Sequence, residues 1–218
     1  MNILAIDSCT TVATCAIMKD DKLIFESYLN DKNTHSEKLL PQIEYALSMA
    51  GMSCKDIDAF AVTVGPGSFT GIRIGLATIK GLAHAYDIPC IGVSALMAMA
   101  GGTVTERTIC PMINARRGTV YNALYRWEGN KLVTVEPERV IPLNEILNES
   151  SAKDYIFTGT DISEFENELA DFQTVLSHLR GTRASTICML AKSMPATSAH
   201  ELVPLYIQPT QAERLYQK

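Results

Sequence analysis

Three groups of residues in this 218-residue sequence have types and spacings that could do chemistry. Asp7-Ser8-Cys9-Thr10 places a carboxylate at the end of a short apolar run, with hydroxyls directly behind it. Loop donors of this kind can meet phosphate oxygens, so Asp7, Ser8 and Thr10 form a candidate vestigial nucleotide site. The competing reading has Asp7 capping a turn and the hydroxyls satisfying local backbone, and it is favoured. Arg116 and Arg117, with Tyr121, Tyr125 and Trp127 nearby, could make a stacking platform for RNA. Two arginines on a turn of an acidic chain are more often solvated or paired with a protein neighbour. The histidines His35, His84, His178 and His200 lie far apart without partner spacing. One imidazole cannot supply the three or four ligands a zinc or iron site needs, so no metal is expected. Nor is there a nucleophile–base–orienter set of the kind a peptidase requires.

The most informative stretch is Gly65-Pro66-Gly67-Ser68-Phe69-Thr70-Gly71-Ile72-Arg73-Ile74-Gly75. It lacks the Gly-Lys pair of a Walker loop. Its glycines miss the dinucleotide spacing by one place, and Ser68 follows Gly67 too closely for a nucleophile elbow. What remains is a tight turn leading into a helix that carries Gly71, Gly75 and Gly81. Each helical glycine costs about 1 kcal/mol relative to alanine, so something must be gained by the missing side chains. Gly71, Gly75, Thr78 and Leu82 share one face and form a smooth stripe that another helix could approach. Packing of that stripe on the chain's own sheet is the alternative, and the residues alone slightly favour it.

These residues must be positioned by strands and helices that the pattern delimits. Asn2–Asp7, Val12–Met18 and Lys22–Leu29 read as strands joined by short turns. A helix follows the capping box Thr34-His35-Ser36-Glu37, with Leu39, Leu40, Ile43, Leu47 and Ala50 at helical spacing. Pro41 removes a backbone donor there, which predicts a kink or a start nearer Pro41. Strand Ala59–Val64, a helix from about Thr70 to Tyr86, strand Pro89–Val93 and a short helix from Ser94 come next. From about Thr105 the pattern repeats: strands Thr108–Asn114, Thr119–Arg126 and Lys131–Ile141, helix Leu143–Asn148, strand Asp154–Thr158, then helical segments to Met194. Two β-β-β-α-β openings point to an α/β duplication with mixed sheets and a shortened second copy. The expected lobes are residues 1–103 and 104–202, with residues 203–218 returning to the first.

A hydrophobic share of 47% with 20% charged residues is ordinary for a globular protein. The net charge of −5 argues against autonomous nucleic-acid binding, which needs clustered cations. The six cysteines are scattered, without a C-x-x-C pair, and Met1–Asp7 has no basic leader region. A cytoplasmic protein with reduced thiols and no membrane span is expected.

The Gly65–Gly75 segment is similar to the hallmark of the TsaB family, formerly YeaZ. Ile3–Thr10, His35–Pro41, Ile91–Leu96, Ala115–Tyr121 and Pro204–Ile207 carry the same resemblance, which spans essentially the whole chain. It implies two actin-like, ribonuclease H-like lobes and a role in making threonylcarbamoyladenosine on tRNA. It further implies a heterodimer with the catalytic subunit TsaD, built on the helices after His35 and after Thr70, with the ATPase TsaE joining. On that reading His35, Leu39, Ile43, Gly71, Gly75, Thr78 and Leu82 face the partner. Catalytic relatives carry two histidines four apart on the corresponding helix; here Leu39 stands four after His35. The chain is therefore expected to be a non-catalytic subunit without a cofactor of its own. It would meet tRNA only through the complex and form a homodimer when alone. A nucleotide at the partner interface stays open. The rival expectation is an autonomous actin-like ATPase or small-molecule kinase using Asp7, Ser8 and Thr10.

Overall fold

A computed structural model describes residues 1–30 and 35–208, apart from the side chain of His35. Thr34 of the capping box, the His35 side chain and the expected return of residues 209–218 fall outside this description. Three strands, β1 (Asn2–Asp7), β2 (Val12–Lys19) and β3 (Lys22–Asn30), lead into helix α1 (His35–Ala50). Strand β4 (Ala59–Gly65), helix α2 (Phe69–Tyr86), strand β5 (Cys90–Ser94) and helix α3 (Ala95–Gly101) complete the first unit. The second has β6 (Thr108–Arg116), β7 (Thr119–Glu128), β8 (Lys131–Pro142), α4 (Leu143–Leu147), β9 (Tyr155–Thr158) and β10 (Gln173–Thr174), followed by α5 (Ala184–Ala191). Helix α1 begins at His35 and runs through Pro41, so the alternative of a start nearer Pro41 does not hold.

The first sheet has the order β3-β2-β1-β4-β5 and the second β8-β7-β6-β9-β10. In both, the three opening strands are antiparallel and the remaining two join in parallel. The matching order makes this a two-lobed, actin-like α/β fold built from one repeated topology. The second copy is reduced: short 3-10 turns at Thr160–Phe165 and Ser177–Leu179 lie where helical segments were expected.

Strand alternation decides which helix covers which face. Leu4 and Ile6 of β1, with Phe60 and Val62 of β4, point to the side covered by Leu39 and Ile43 of α1 and Ile72, Leu76 and Ile79 of α2. Ile3, Ala5, Ala16, Ala59 and Ala61 point to the other side, against Ala184, Ile187, Cys188 and Ala191. Four alanines on that face let α5 lie close to the sheet. Helix α5 falls within the residues expected to form the second lobe, yet it packs on the first. Helix α3 lies between the lobes: Leu96, Met99 and Ala100 share one core with Ile109, Ile113 and Tyr125 of the second sheet. Trp127 donates its ring N–H to the Thr103 carbonyl at 2.9 Å, tying β7 to the end of α3. No helix among the described residues is long and apolar enough to cross a membrane.

Candidate functional site

The motif loop joins the buried end of β4 to the first turn of α2. Gly65 has φ 117° and Gly67 φ 155°, values that suit glycine, and the Gly65–Pro66 peptide is cis. Ser68 caps α2, its hydroxyl accepting from the Gly71 N–H at 3.3 Å. The loop lies directly on the turn after β1. Ser68 N–H donates to the Cys9 carbonyl at 2.7 Å, and the Ser8 hydroxyl donates to the Gly71 carbonyl at 2.9 Å. A Cβ on Gly67 would overlap the Cys9 carbonyl, and one on Gly71 would overlap that of Ser8. A Cβ on Gly75 would stand 2.6 Å from the Ser8 hydroxyl. The glycines let two backbone segments of the same chain touch.

That contact corrects the expected partner stripe. Gly71 and Gly75 face inward, and Leu39 and Ile43 are core residues at 1% exposure. Leu82 is half-buried against the core, and Thr78 turns its hydroxyl back to the Ile74 carbonyl at 2.9 Å. The exposed residues of α2 are instead Thr70, Arg73, Ala77, Gly81, His84, Ala85 and Tyr86. Ala77, Gly81 and Ala85 are four apart and make a smooth outward stripe; a Cβ on Gly81 would meet nothing within 4 Å. Helix α1 exposes Leu40 at 44%, Tyr45 at 58% and Met49 at 61%, with Tyr45 edge-on to Phe25 of β3. The signal for this face was present in the sequence. Helix α1 carries apolar residues outside the phase of Leu39, Ile43, Ala46 and Leu47, as a helix buried on two sides does.

At the end of β1, Asp7 is fully buried. Its Oδ1 accepts from the Cys9 N–H at 3.0 Å and from the Thr63 hydroxyl, while Oδ2 has no hydrogen-bond partner. Burial raises its pKa above the usual carboxylate value. Burial and the Asp7 charge push the Cys9 thiol well up, so it is no ready nucleophile. Ser8 is spent on α2, and Thr10 accepts from the Val12 N–H at 3.2 Å. Asp7, Ser8 and Thr10 thus form a closed junction, not an open phosphate cradle.

The arginine turn is exposed, with Arg116 at φ 70° and Arg117 at φ 55°. Its expected aromatic companions are elsewhere: Tyr121 and Tyr125 are buried, and Trp127 is engaged with α3. No RNA-stacking platform forms there. The C-terminal segment carries residues with a clear role. Leu205 N–H donates to the Val64 carbonyl at 2.7 Å, Lys80 to the Leu202 carbonyl at 3.0 Å, and Arg73 Nε to the Tyr206 hydroxyl at 3.0 Å. Tyr206 also packs on Phe69, with ring centroids 4.7 Å apart. This strap holds α2 and the motif loop from outside. His84 and His200, expected to stand apart, have ring centroids 5.9 Å apart.

Comparison with known proteins follows the same lines. A family model described as TsaD, tRNA N6-adenosine threonylcarbamoyltransferase, matches residues 23–216. The tRNA threonylcarbamoyladenosine biosynthesis protein TsaB of Bacillus subtilis is 33% identical over 98% of this chain and 96% of its own length. The chain belongs to the TsaB family. TsaB of Escherichia coli is 37% identical over 68% of the chain and 65% of its own length. The fold agrees: YeaZ from Pseudomonas aeruginosa superposes with a TM-score of 0.81 at 24% identity, covering 94% of this chain and 99% of that one.

Proposed function

We infer that this chain serves tRNA threonylcarbamoyladenosine biosynthesis as a docking subunit that pairs with a TsaD-type catalytic subunit. It has no catalytic residue of its own, and a TsaE-type ATPase joins the pair. The observation that carries the reading is the outer face of α1 and α2. Helix α2 turns the small-residue stripe Ala77-Gly81-Ala85 outward, and α1 leaves Leu40, Tyr45 and Met49 exposed. A face with apolar knobs on one helix and small residues on the next suits a helical partner packed at short interaxial distance. In isolation the same face suits a second copy of the chain. Ser8 and Thr10 are engaged in internal bonds and Asp7 is fully buried, which favours this reading over an autonomous ATPase or kinase.

Gly81→Leu provides the test. Leucine at this open position should leave the fold intact or stabilise it slightly, because leucine is the better helix former by several tenths of a kcal/mol, about 0.5–1. Against a partner helix it would overpack by about 1–3 kcal/mol, a loss of roughly tenfold to over a hundredfold in affinity. Co-elution of the variant with the TsaD-type subunit, at wild-type affinity and with modification restored, would remove this face from the interface. ATP turnover by the isolated chain, abolished by Asp7→Asn, would favour the enzymatic alternative instead.

A further inference from the structure

We propose that His84 and His200 form a two-histidine site for a late first-row divalent metal ion, one that staples the C-terminal strap to the end of α2. His84 stands in the last turn of α2, and both imidazoles are exposed. They lie far apart in sequence and meet only because the chain returns over α2 after α5. Their ring centroids are 5.9 Å apart and the planes cross at 70°. Two imidazoles sharing an ion through nitrogen bonds of about 2.0–2.1 Å place their ring centres roughly 5–6 Å apart. The observed pair meets edge to face at that separation, and rotation of the two exposed side chains would turn a nitrogen of each toward one ion.

Both ligands are carried on backbone that is already fixed. His84 sits on a regular helix whose end is closed by the Asp87 N–H bonding the Ala83 carbonyl. His200 sits inside a turn held at both ends: the Ser198 N–H and hydroxyl donate to Glu201 Oε2 at 3.0 and 2.9 Å, and Glu201 N–H donates back to the Ser198 hydroxyl at 3.4 Å. The turn is anchored by Leu202, buried at 4% exposure, and by the Lys80 bond to the Leu202 carbonyl. Preorganisation of this kind lowers the cost of bringing two ligands to one ion. Among the described residues no group of three His, Cys, Asp or Glu gathers around an ion. Water therefore completes the coordination, and the site is exchangeable, not structural. Neutral imidazole selects zinc, nickel and copper over magnesium or calcium, with copper tightest among the divalent ions. The proposal stands apart from the docking reading, because neither histidine belongs to the Ala77-Gly81-Ala85 stripe.

The test uses the full chain, stripped with chelator and titrated calorimetrically with zinc, nickel and copper in turn. One ion should bind per chain, with affinity rising from zinc or nickel to copper. His84→Asn and His200→Asn should each weaken binding at least about tenfold, as losing even an outer-shell partner costs 10–100-fold. Because both positions are exposed, each variant should melt at the wild-type temperature without metal. Hydrogen exchange at the Leu202 and Leu205 amides should slow on adding metal to the wild type, and in neither variant. A parallel Cys54→Ser variant keeps thiol binding separate, since Cys54 is the one cysteine that is not buried among six free thiols. Failure of the wild type to bind, wild-type affinity in both histidine variants, or loss in only one of them would each overturn the shared-ion site.

Discussion

At Gly75 a side chain would begin 2.6 Å from the hydroxyl of Ser8 and 3.4 Å from a methyl of Val62. Neither neighbour can retreat: Ser8 is bonded to the Gly71 carbonyl, and Val62 is a fully buried core residue. Gly75→Leu should therefore cost about 1–3 kcal/mol or more before any partner is added. For a chain of this size that is roughly 2–4 °C of melting temperature per kcal/mol. A melting curve of the variant alone checks it; a wild-type midpoint would return Gly75 to the outer surface. The position of Gly75 was legible in the sequence. It lies three after Ile72 and four before Ile79, both core residues, whereas Gly81 lies on the far side of the helix. A glycine carries no hydrophobicity of its own, so the stripe has to be read from its neighbours. Asp7 was legible as a carboxylate closing a strand. That its hydroxyl companions are consumed by α2 was not, because the contact joins residues some sixty positions apart.

Among the elements, strands and long helices followed the pattern closely, since β1 and β4 are short apolar runs and the core residues of α2 recur near a period of 3.6. The stretch from Gly159 to Met194 was read as helical, yet most of it is short turns around β10, with α5 alone as a regular helix. Small polar segments there have too little apolar periodicity to fix their type. The return of the tail to the first lobe was expected, but not its partners: Leu205 and Tyr206 have no local pattern that names Val64, Arg73 and Phe69. Tyr206→Ala should show what it contributes. Loss of the Phe69 contact and of the Arg73 bond removes about 0.5–1.5 kcal/mol for the aromatic pair plus a modest hydrogen-bond term. The melting temperature should fall by a few degrees, and the Leu205 amide should exchange faster while core amides of β1 stay protected. Unchanged exchange at Leu205 would show that the strap is held by its backbone bonds alone.

On the scale of the whole molecule, two copies of one topology are joined through α3, and the junction contains a carboxylate. Glu138 of β8 accepts from the hydroxyl of Ser94, the residue that caps α3 by accepting from the Met97 N–H at 3.1 Å. The buried Tyr125 hydroxyl lies beside the same carboxylate, and among the described residues no cationic side chain pairs with it. Burial raises the Glu138 pKa above its ordinary value, outweighing the bonds from Ser94 and Tyr125 that lower it. A raised carboxylate pKa means that the folded state holds the proton more tightly than the unfolded one. Between the unfolded and folded pKa values stability therefore falls as pH rises, and above the folded value the full cost of the buried charge is present. Glu138→Gln removes this charge and keeps an acceptor for Ser94. The variant should be at least as stable as wild type at pH 7–8, by up to about 1 kcal/mol. Its advantage should shrink as pH is lowered towards the ordinary glutamate range, where the wild-type group is already neutral. Thermal melts of both proteins from pH 8 down to pH 5 read this directly. An advantage that grows on acidification, or a variant much less stable at pH 8, would mean that Glu138 holds the two lobes together as an ion.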